Sequence, residues 1–204
     1  MNSLMTGGYP APGPLRHRPR AWSRMVGMQR VMSTVIAVVG EHAGAMVESL
    51  GAAANVRTAR PDADRAPLER AVAAWSEATG SRSPYLLHDA DPLAEVAAAW
   101  VRRYDEQGPA GELELAVSET VRRWRARALE LPDYYLVLDP EGWPATRRHW
   151  YLGFLHRAAP SRVLVAADEP REAGERIAHL GSGPWWPDLD DLLTGVDRVV
   201  PDRL

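Results

Sequence analysis

The chain has 204 residues, a mass of 22.5 kDa and 46% hydrophobic residues, which is enough apolar material to bury the core of one domain. Its formal net charge is -3, and because it contains neither cysteine nor lysine, all 24 basic residues are arginines. These absences exclude disulfides, thiol nucleophiles, cysteine-held metals, Schiff-base lysines and the lysine of a phosphate-binding P-loop. The charge balance also argues against nucleic acid or anionic lipid as a partner of the whole molecule.

The first 30 residues differ in composition from the rest of the chain. They contain four prolines and few residues able to build a core, which predicts a disordered Pro/Arg-rich segment over 1–30 and a single domain over 31–204. No apolar run reaches the roughly 20 residues of a membrane span, and prolines interrupt any secretory signal, so we predict a cytoplasmic protein. Met25, Met28 and Met32 all precede the first predicted strand and leave the start of translation open.

Short apolar runs that end at turn residues predict the strands. The clearest are 35–39, 134–138 and 162–167, and weaker patterns occupy 55–60 and 83–88. Continuous apolar runs are typical of strands buried on both faces of a parallel sheet. The predicted fold is therefore α/β, with a mostly parallel, Rossmann-like sheet of four or five strands flanked by helices.

Helical periodicity fills the segments between these strands. Helices are expected over 45–54, 146–157, 171–180 and 188–193. Three further amphipathic helices follow one another within 64–130, and they predict a helical insert in the sheet. Asp91 and Pro92 suit the N-cap and first position of the second of these helices.

A glycine-containing turn follows the first strand. In open parallel sheets ligands bind outside the carboxyl ends of the strands, and here Gly40, Glu41, His42 and Gly44 lie between a strand and a helix. The free amides and the dipole at a helix N-terminus attract an anion. These four residues are therefore the predicted site for a nucleotide or phosphate ligand.

The same segment resembles the opening of the ParA/MinD-type P-loop ATPases. The similar segments are 35–40, Gly44 with the helix after it, 133–139 and 161–167. The resemblance implies a nucleotide-binding fold in which Asp139 takes the position of that family's metal-linked aspartate. Met46 and Val47 stand where the family has lysine and Ser/Thr. What is implied is a degenerate relative that binds nucleotide weakly or not at all.

Acidic residues at the strand ends support a second interpretation. Glu41, Asp139 and Glu141, together with Asp168, could hold Mg²⁺ for phosphoryl transfer or nucleic-acid cleavage, because Mg²⁺ prefers oxygen ligands. A glutamate after the first strand and Asp-x-Glu after a later one resemble a Toprim arrangement. Asp139 and Glu141 are then the candidate catalytic and metal-binding residues. The competing interpretation of all four is that they are helix caps and turn residues.

Two other polar segments are better explained by structure than by chemistry. His88 and Asp91 could supply a base and a carboxylate, but a loop and helix cap are favoured. Arg147 and Arg148 precede Tyr151 in a basic and aromatic patch that suits a base or a phosphate, yet packing of Tyr151 on the sheet explains it more simply.

Adjacent tryptophans lie among glycine and proline residues near the end of the chain. Trp185 and Trp186 are candidates for an exposed interaction surface, since exposed tryptophans often mark protein contacts. The alternative is that they close the underside of the core. Both interpretations stay open at this point.

Three functions remain. The first is a catalytically degenerate α/β module that binds a nucleotide, a phosphate ligand or a protein partner in a regulatory or accessory role. The second is an Mg²⁺-dependent phosphoryl-transfer enzyme or nuclease, and the third is a protein-interaction scaffold without a small-molecule ligand. Convergence of Glu41, Asp139 and Glu141 to metal-sharing distance would favour the second.

Overall fold

Five parallel strands form one sheet in the order β2-β3-β1-β4-β5. The computed structural model describes residues 31–105, 108–183 and 186–201. The strands are β1 (Thr34–Val39), β2 (Val56–Thr58), β3 (Tyr85–His88), β4 (Tyr134–Leu138) and β5 (Val163–Ala166). The predicted parallel α/β architecture is confirmed. The predicted disordered segment and Trp185 lie outside the described residues.

Helices connect the strands and cover both faces of the sheet. They are α1 (Ala43–Leu50), α2 (Pro67–Gly80), α3 (Ala94–Tyr104), α4 (Glu112–Arg125), α5 (Ala145–His149), α6 (His156–Ala158), α7 (Pro170–Ile177) and α8 (Leu189–Leu193). A π-helical turn, Trp150–Leu155, joins α5 to α6, so the helix predicted over 146–157 is one helical run with a change of winding. Within the described ranges, no helix is long and apolar enough to cross a membrane.

Alternate side chains of β1 enter two different cores. Ile36 and Val38 pack with residues of α1 and α7 on one face. Ala37 and Val39 face the opposite side, where they join a core built from α3, the π turn and α8. All four side chains are buried. Burial on both faces explains why the central strands read as unbroken apolar runs.

The strand with the weakest sequence pattern, β3, lies inside the sheet between β2 and β1. β3 is fully buried and pairs with both β1 and β2, although its sequence falls inside the predicted helical insert over 64–130. The additional helical material is therefore the α3 and α4 pair, which together connect β3 to β4. Four residues are too few to show a strand period clearly, which is why the local pattern was weak.

A glycine permits close packing at the π turn. A Cβ atom on Gly153 would lie 2.7 Å from the ring of His149, so the ring would have to move to admit it. With glycine there, the His149 ring stacks on Trp100 at 6.0 Å between ring centroids. The π turn and this glycine together set the positions of Trp150 and Tyr151, both of which are buried.

The amino edge of the sheet is closed by the chain itself. Asp133 accepts hydrogen bonds from the backbone N–H groups of Val35 at 2.8 Å and Gly183 at 2.9 Å. Trp186 donates its indole N–H to the carbonyl of Pro132 at 2.6 Å and meets the Tyr135 ring edge-on at 5.7 Å. Trp186 is half-buried against the core, and its predicted role in an interaction surface stays a prediction.

Candidate functional site

The strand order produces a crevice at the carboxyl edge of the sheet. The chain leaves β1 toward the face covered by α1, whereas it leaves β3 and β4 toward the opposite face. A cavity of about 190 Å³ lies at this divergence, bordered by Gly40, Asp89, Asp91, Arg147 and Tyr151. In open α/β sheets this is where ligands bind. The lining residues come from the carboxyl ends of β1 and β3, from the starts of α1 and α3, from α2 and from the helical run after β4.

A second cavity adjoins the first. Its volume is about 210 Å³, and Gly44 and Arg60 contribute to its wall. Arg70 and Asp89 line both cavities, and the Arg70 guanidinium donates a hydrogen bond of 2.8 Å from Nη2 to Asp89 Oδ1. This ion pair is therefore the common wall of the two spaces.

Asp91 is a buried carboxylate in the wall of the first cavity. Its Oδ1 accepts hydrogen bonds from Leu93 N at 2.8 Å and from the Tyr135 hydroxyl at 2.9 Å. Its Oδ2 accepts one from the Tyr151 hydroxyl at 2.8 Å. Burial raises the pKa of Asp91, and the three hydrogen bonds oppose that rise. Burial and the adjacent carboxylate raise the pKa of both tyrosines well above the usual value. The contact to Leu93 N holds the turn that leads into α3, but the helix begins at Ala94 with Leu93 as its N-cap, so the predicted N-cap position of Asp91 is two residues too early.

Arg147 supplies positive charge at the rim of the cavity. Its side chain is exposed, and the guanidinium carbon lies 4.3 Å above the centre of the Trp143 ring. Trp143 in turn meets Tyr151 edge-on, with 5.5 Å between ring centroids. The positive charge of Arg147 favours the ionised form of Asp91 and so lowers the pKa of that carboxyl. The rim of the cavity is thus cationic and its wall is anionic.

The predicted phosphate-binding segment forms a tight turn. Helix α1 begins at Ala43, so Gly40, Glu41 and His42 alone separate it from β1, and Gly44 lies in the first helical turn. Gly40 has φ of +153°, and a Cβ atom there would be 2.9 Å from the Cβ of Leu138. Close approach to β4 therefore explains this glycine. Glu41 is exposed, and ligand binding at the four residues stays a prediction.

Three of the polar residues predicted at strand ends do come together. His42 Nδ1 lies 2.5 Å from Asp168 Oδ2, and Asp168 N donates a 3.1 Å hydrogen bond to Asp139 Oδ2. These contacts join the start of α1 to the ends of β4 and β5. Two carboxylates therefore lie near the first turn of α1. Asp168 contacts His42, directly before the helix, and Asp89 Oδ2 would lie 3.4 Å from a Cβ atom on Gly44.

Glu141 lies apart from that group. Its side chain is 91% exposed, and its nearest cationic neighbour is Arg148, with Nη1 3.8 Å from Oε2. In the described part of the chain, no group of three or more histidine, aspartate and glutamate side chains is placed to hold a metal ion. The assignment of Mg²⁺ to Asp139 and Glu141 stays a prediction.

Sequence reasoning missed Arg70 and gave Asp91, Arg147 and Tyr151 structural roles. Arg70 lies on an ordinary amphipathic helix, and no local pattern marks it as a ligand contact. The one available signal was the pair of aspartates directly after the apolar run at 83–88. That signal becomes informative only when β3 is placed next to β1.

Comparison with known proteins adds no relative. No protein-family model matches the chain, and no curated protein or solved structure matches it. Function is therefore inferred from the residues of the crevice and from the chemistry that they allow.

Proposed function

We propose that the protein is a non-catalytic α/β binding module that takes a nucleotide or a smaller phosphate-bearing ligand in the crevice and acts in a regulatory or accessory role. The observation that carries this proposal is the cavity of about 190 Å³ at the divergence of the chain, bordered by Arg70 and Arg147. Arginine binds phosphate through paired N–H groups, and it is the only permanently charged cation in this chain.

Two positions in α1 support binding without catalysis. Met46 and Val47, which stand where a P-loop ATPase has lysine and Ser/Thr, are only 2% and 1% exposed. Both side chains belong to the core between α1 and the sheet. Neither can reach a ligand, so the chain lacks the cation and the hydroxyl that hold phosphate and Mg²⁺ in such enzymes.

We expect the anionic part of the ligand to bind near the arginines and not at the start of α1. The carboxylates of Asp89 and Asp168 already lie near the first turn of that helix. A phosphate placed there would meet two like charges, which costs free energy at these short distances. Arg147 is exposed at the cavity rim, where its positive charge can meet an anionic group of the ligand.

Thermal unfolding of the full chain tests the proposal. The protein is heated alone and with ATP, GTP and Mg²⁺, separately and combined. A ligand that binds only the folded state stabilises it by about 2.7 kcal/mol at one hundred times its dissociation constant, so we expect the midpoint to rise with nucleotide. Arg147→Gln should reduce this rise. Arg157→Gln, an exposed change on α6 that does not border the cavity, is the matched control and should preserve it.

Two outcomes would contradict the proposal. Absence of a shift with either nucleotide would remove its basis and favour a scaffold without a small-molecule ligand. A shift with Mg²⁺ alone that disappears in Asp139→Asn would favour the Mg²⁺-dependent enzyme instead.

A further inference from the structure

Asp91 has an unusual balance of contacts for a buried carboxylate. Its three hydrogen-bond donors, Leu93 N and the hydroxyls of Tyr135 and Tyr151, are all uncharged. Its side chain belongs to a residue that is only 6% exposed. Among the residues that the structure describes, no arginine or histidine forms an ion pair with it. A buried charge without an ionic partner is costly, so the site favours a cation.

The geometry of the hydrogen bonds shows where that cation can bind. An ionised carboxylate offers about four acceptor positions, two on each oxygen. Both positions on Oδ1 are used, by Leu93 N and Tyr135, whereas Oδ2 receives only the Tyr151 hydroxyl. Tyr151 and Asp91 both border the cavity. An ammonium group in the cavity would occupy the remaining position on Oδ2.

The opposite charge is provided in the same cavity. Arg147 stands at the rim, close enough that its charge acts on Asp91, and Arg70 contributes a second guanidinium that is already paired with Asp89. A single ligand can therefore meet Asp91 with one end and Arg147 with the other. A space of about 190 Å³ corresponds to roughly six water molecules, which suits a short chain between the two charged ends.

We propose that the crevice takes a small zwitterionic ligand, with an ammonium group bound to Asp91 and an anionic group, phosphate or carboxylate, bound to Arg147. This inference rests on the proposed ligand site in the crevice and adds the second charged group of the ligand. Asp91 supplies the selectivity, because a molecule of the same length without the ammonium group leaves the buried carboxylate unpaired.

Calorimetric titration of the full chain with matched probes tests this at constant ionic strength. Phosphoethanolamine carries both charges, and n-propyl phosphate has the same length and anionic end but a methyl group in place of the ammonium group. We expect phosphoethanolamine to bind at least tenfold more tightly. β-Alanine, which replaces phosphate by carboxylate, shows which anion Arg147 prefers.

Variants then assign the two ends. Asp91→Asn should abolish the preference for phosphoethanolamine over n-propyl phosphate, and Arg147→Gln should weaken the binding of both. Even if Asp91→Asn does not fold, the comparison of the two probes on the unaltered protein shows whether the ammonium group contributes to binding. Equal affinity for the two phosphates would overturn the ammonium site and leave the proposed phosphate site standing. Failure of both probes to bind overturns the inference, and failure of nucleotides as well overturns the proposed function.

Discussion

At the amino edge of the sheet, Asp133 accepts hydrogen bonds from two backbone N–H groups, and the charge of Arg162 acts on it. At the carboxyl edge, Asp91 accepts hydrogen bonds from one backbone N–H and two tyrosine hydroxyls and borders a cavity. Burial raises the pKa of both carboxyl groups. The pKa values of the two aspartates thus shift in the same direction, but Asp91 is buried, Asp133 is half-buried, and their surroundings differ.

The difference separates a structural edge from a binding edge. Arg162 is buried and lies 4.5 Å above the Tyr134 ring, so the amino edge contains its own cation. The carboxyl edge has its exposed arginine, Arg147, at the rim of an open space. Polar groups satisfied within the chain stabilise the fold, whereas polar groups directed at a cavity are available to a ligand.

The largest expected effect is at the amino edge. Asp133→Ala leaves Val35 N and Gly183 N without an acceptor, and we expect the free energy of unfolding to fall by about 3 kcal/mol. Urea unfolding at neutral pH measures the loss. Asp62→Ala is the control, because the Asp62 carboxylate accepts a hydrogen bond from Asp64 N in an exposed loop. Equal losses in the two variants would show that the amino edge is not held by Asp133.

The next effect is acid sensitivity at the carboxyl edge. Burial lowers the pKa of His88 from 6.5 to about 4, although the charge of Asp89 opposes that change. Since the folded state binds the proton less well than the unfolded chain, this stability is complete above pH 6.5 and is lost as the pH falls toward 4. The full loss is about 3 kcal/mol, most of it present by pH 5.

Unfolding free energies between pH 7 and 4 check the prediction. His88→Gln should remove most of the slope, and His179→Gln, an exposed change on the same chain, should keep it. The raised pKa of Asp133 has the opposite sign, because its protonation favours the folded state as the pH falls. If the unfolding free energy of His88→Gln still falls with pH as steeply as that of the unaltered protein, a group other than His88 causes the acid sensitivity.

The smallest effect distinguishes the two tyrosines bound to Asp91. Tyr135→Phe and Tyr151→Phe each remove one hydrogen bond to the carboxylate, so each should cost about 1 kcal/mol of stability. Only Tyr151 borders the cavity, and only its replacement should change the affinity for phosphoethanolamine. Calorimetry on both variants makes the comparison. An equal change in affinity would mean that Asp91 acts on the ligand through the protein and not by direct contact.

Much of the fold was predictable because strand and helix patterns are local. The runs that became β1, β4 and β5 are apolar and end at turn residues, so their parallel pairing followed from composition and spacing. The predicted burial is correct for β1 and β4 and wrong for β5, an edge strand in which Val165 is exposed. The start of α1 was less well predicted. Its first turn includes Ala43 and Gly44, which leaves three residues for a loop expected to be longer.

The candidate site was less accessible to sequence reasoning. Asp91 suggested a helix cap, Arg147 a solvated surface residue and Tyr151 a packing residue, and the descriptions of Arg147 and Tyr151 are locally correct. They line one cavity because Tyr151 contacts Asp91, a residue 60 positions away in the sequence. The π turn that carries Tyr151 was not predicted from the local sequence.

By itself, the sequence determined the fold class, the burial of the central strands and the absence of lysine and cysteine chemistry, because residue type and periodicity carry that information. Only the tertiary structure decided that β3 lies between β2 and β1, that Met46 and Val47 face the core, and that a crevice opens beside Asp91. Strand order depends on the path of each crossover over the sheet, and contacts between distant segments follow from that path.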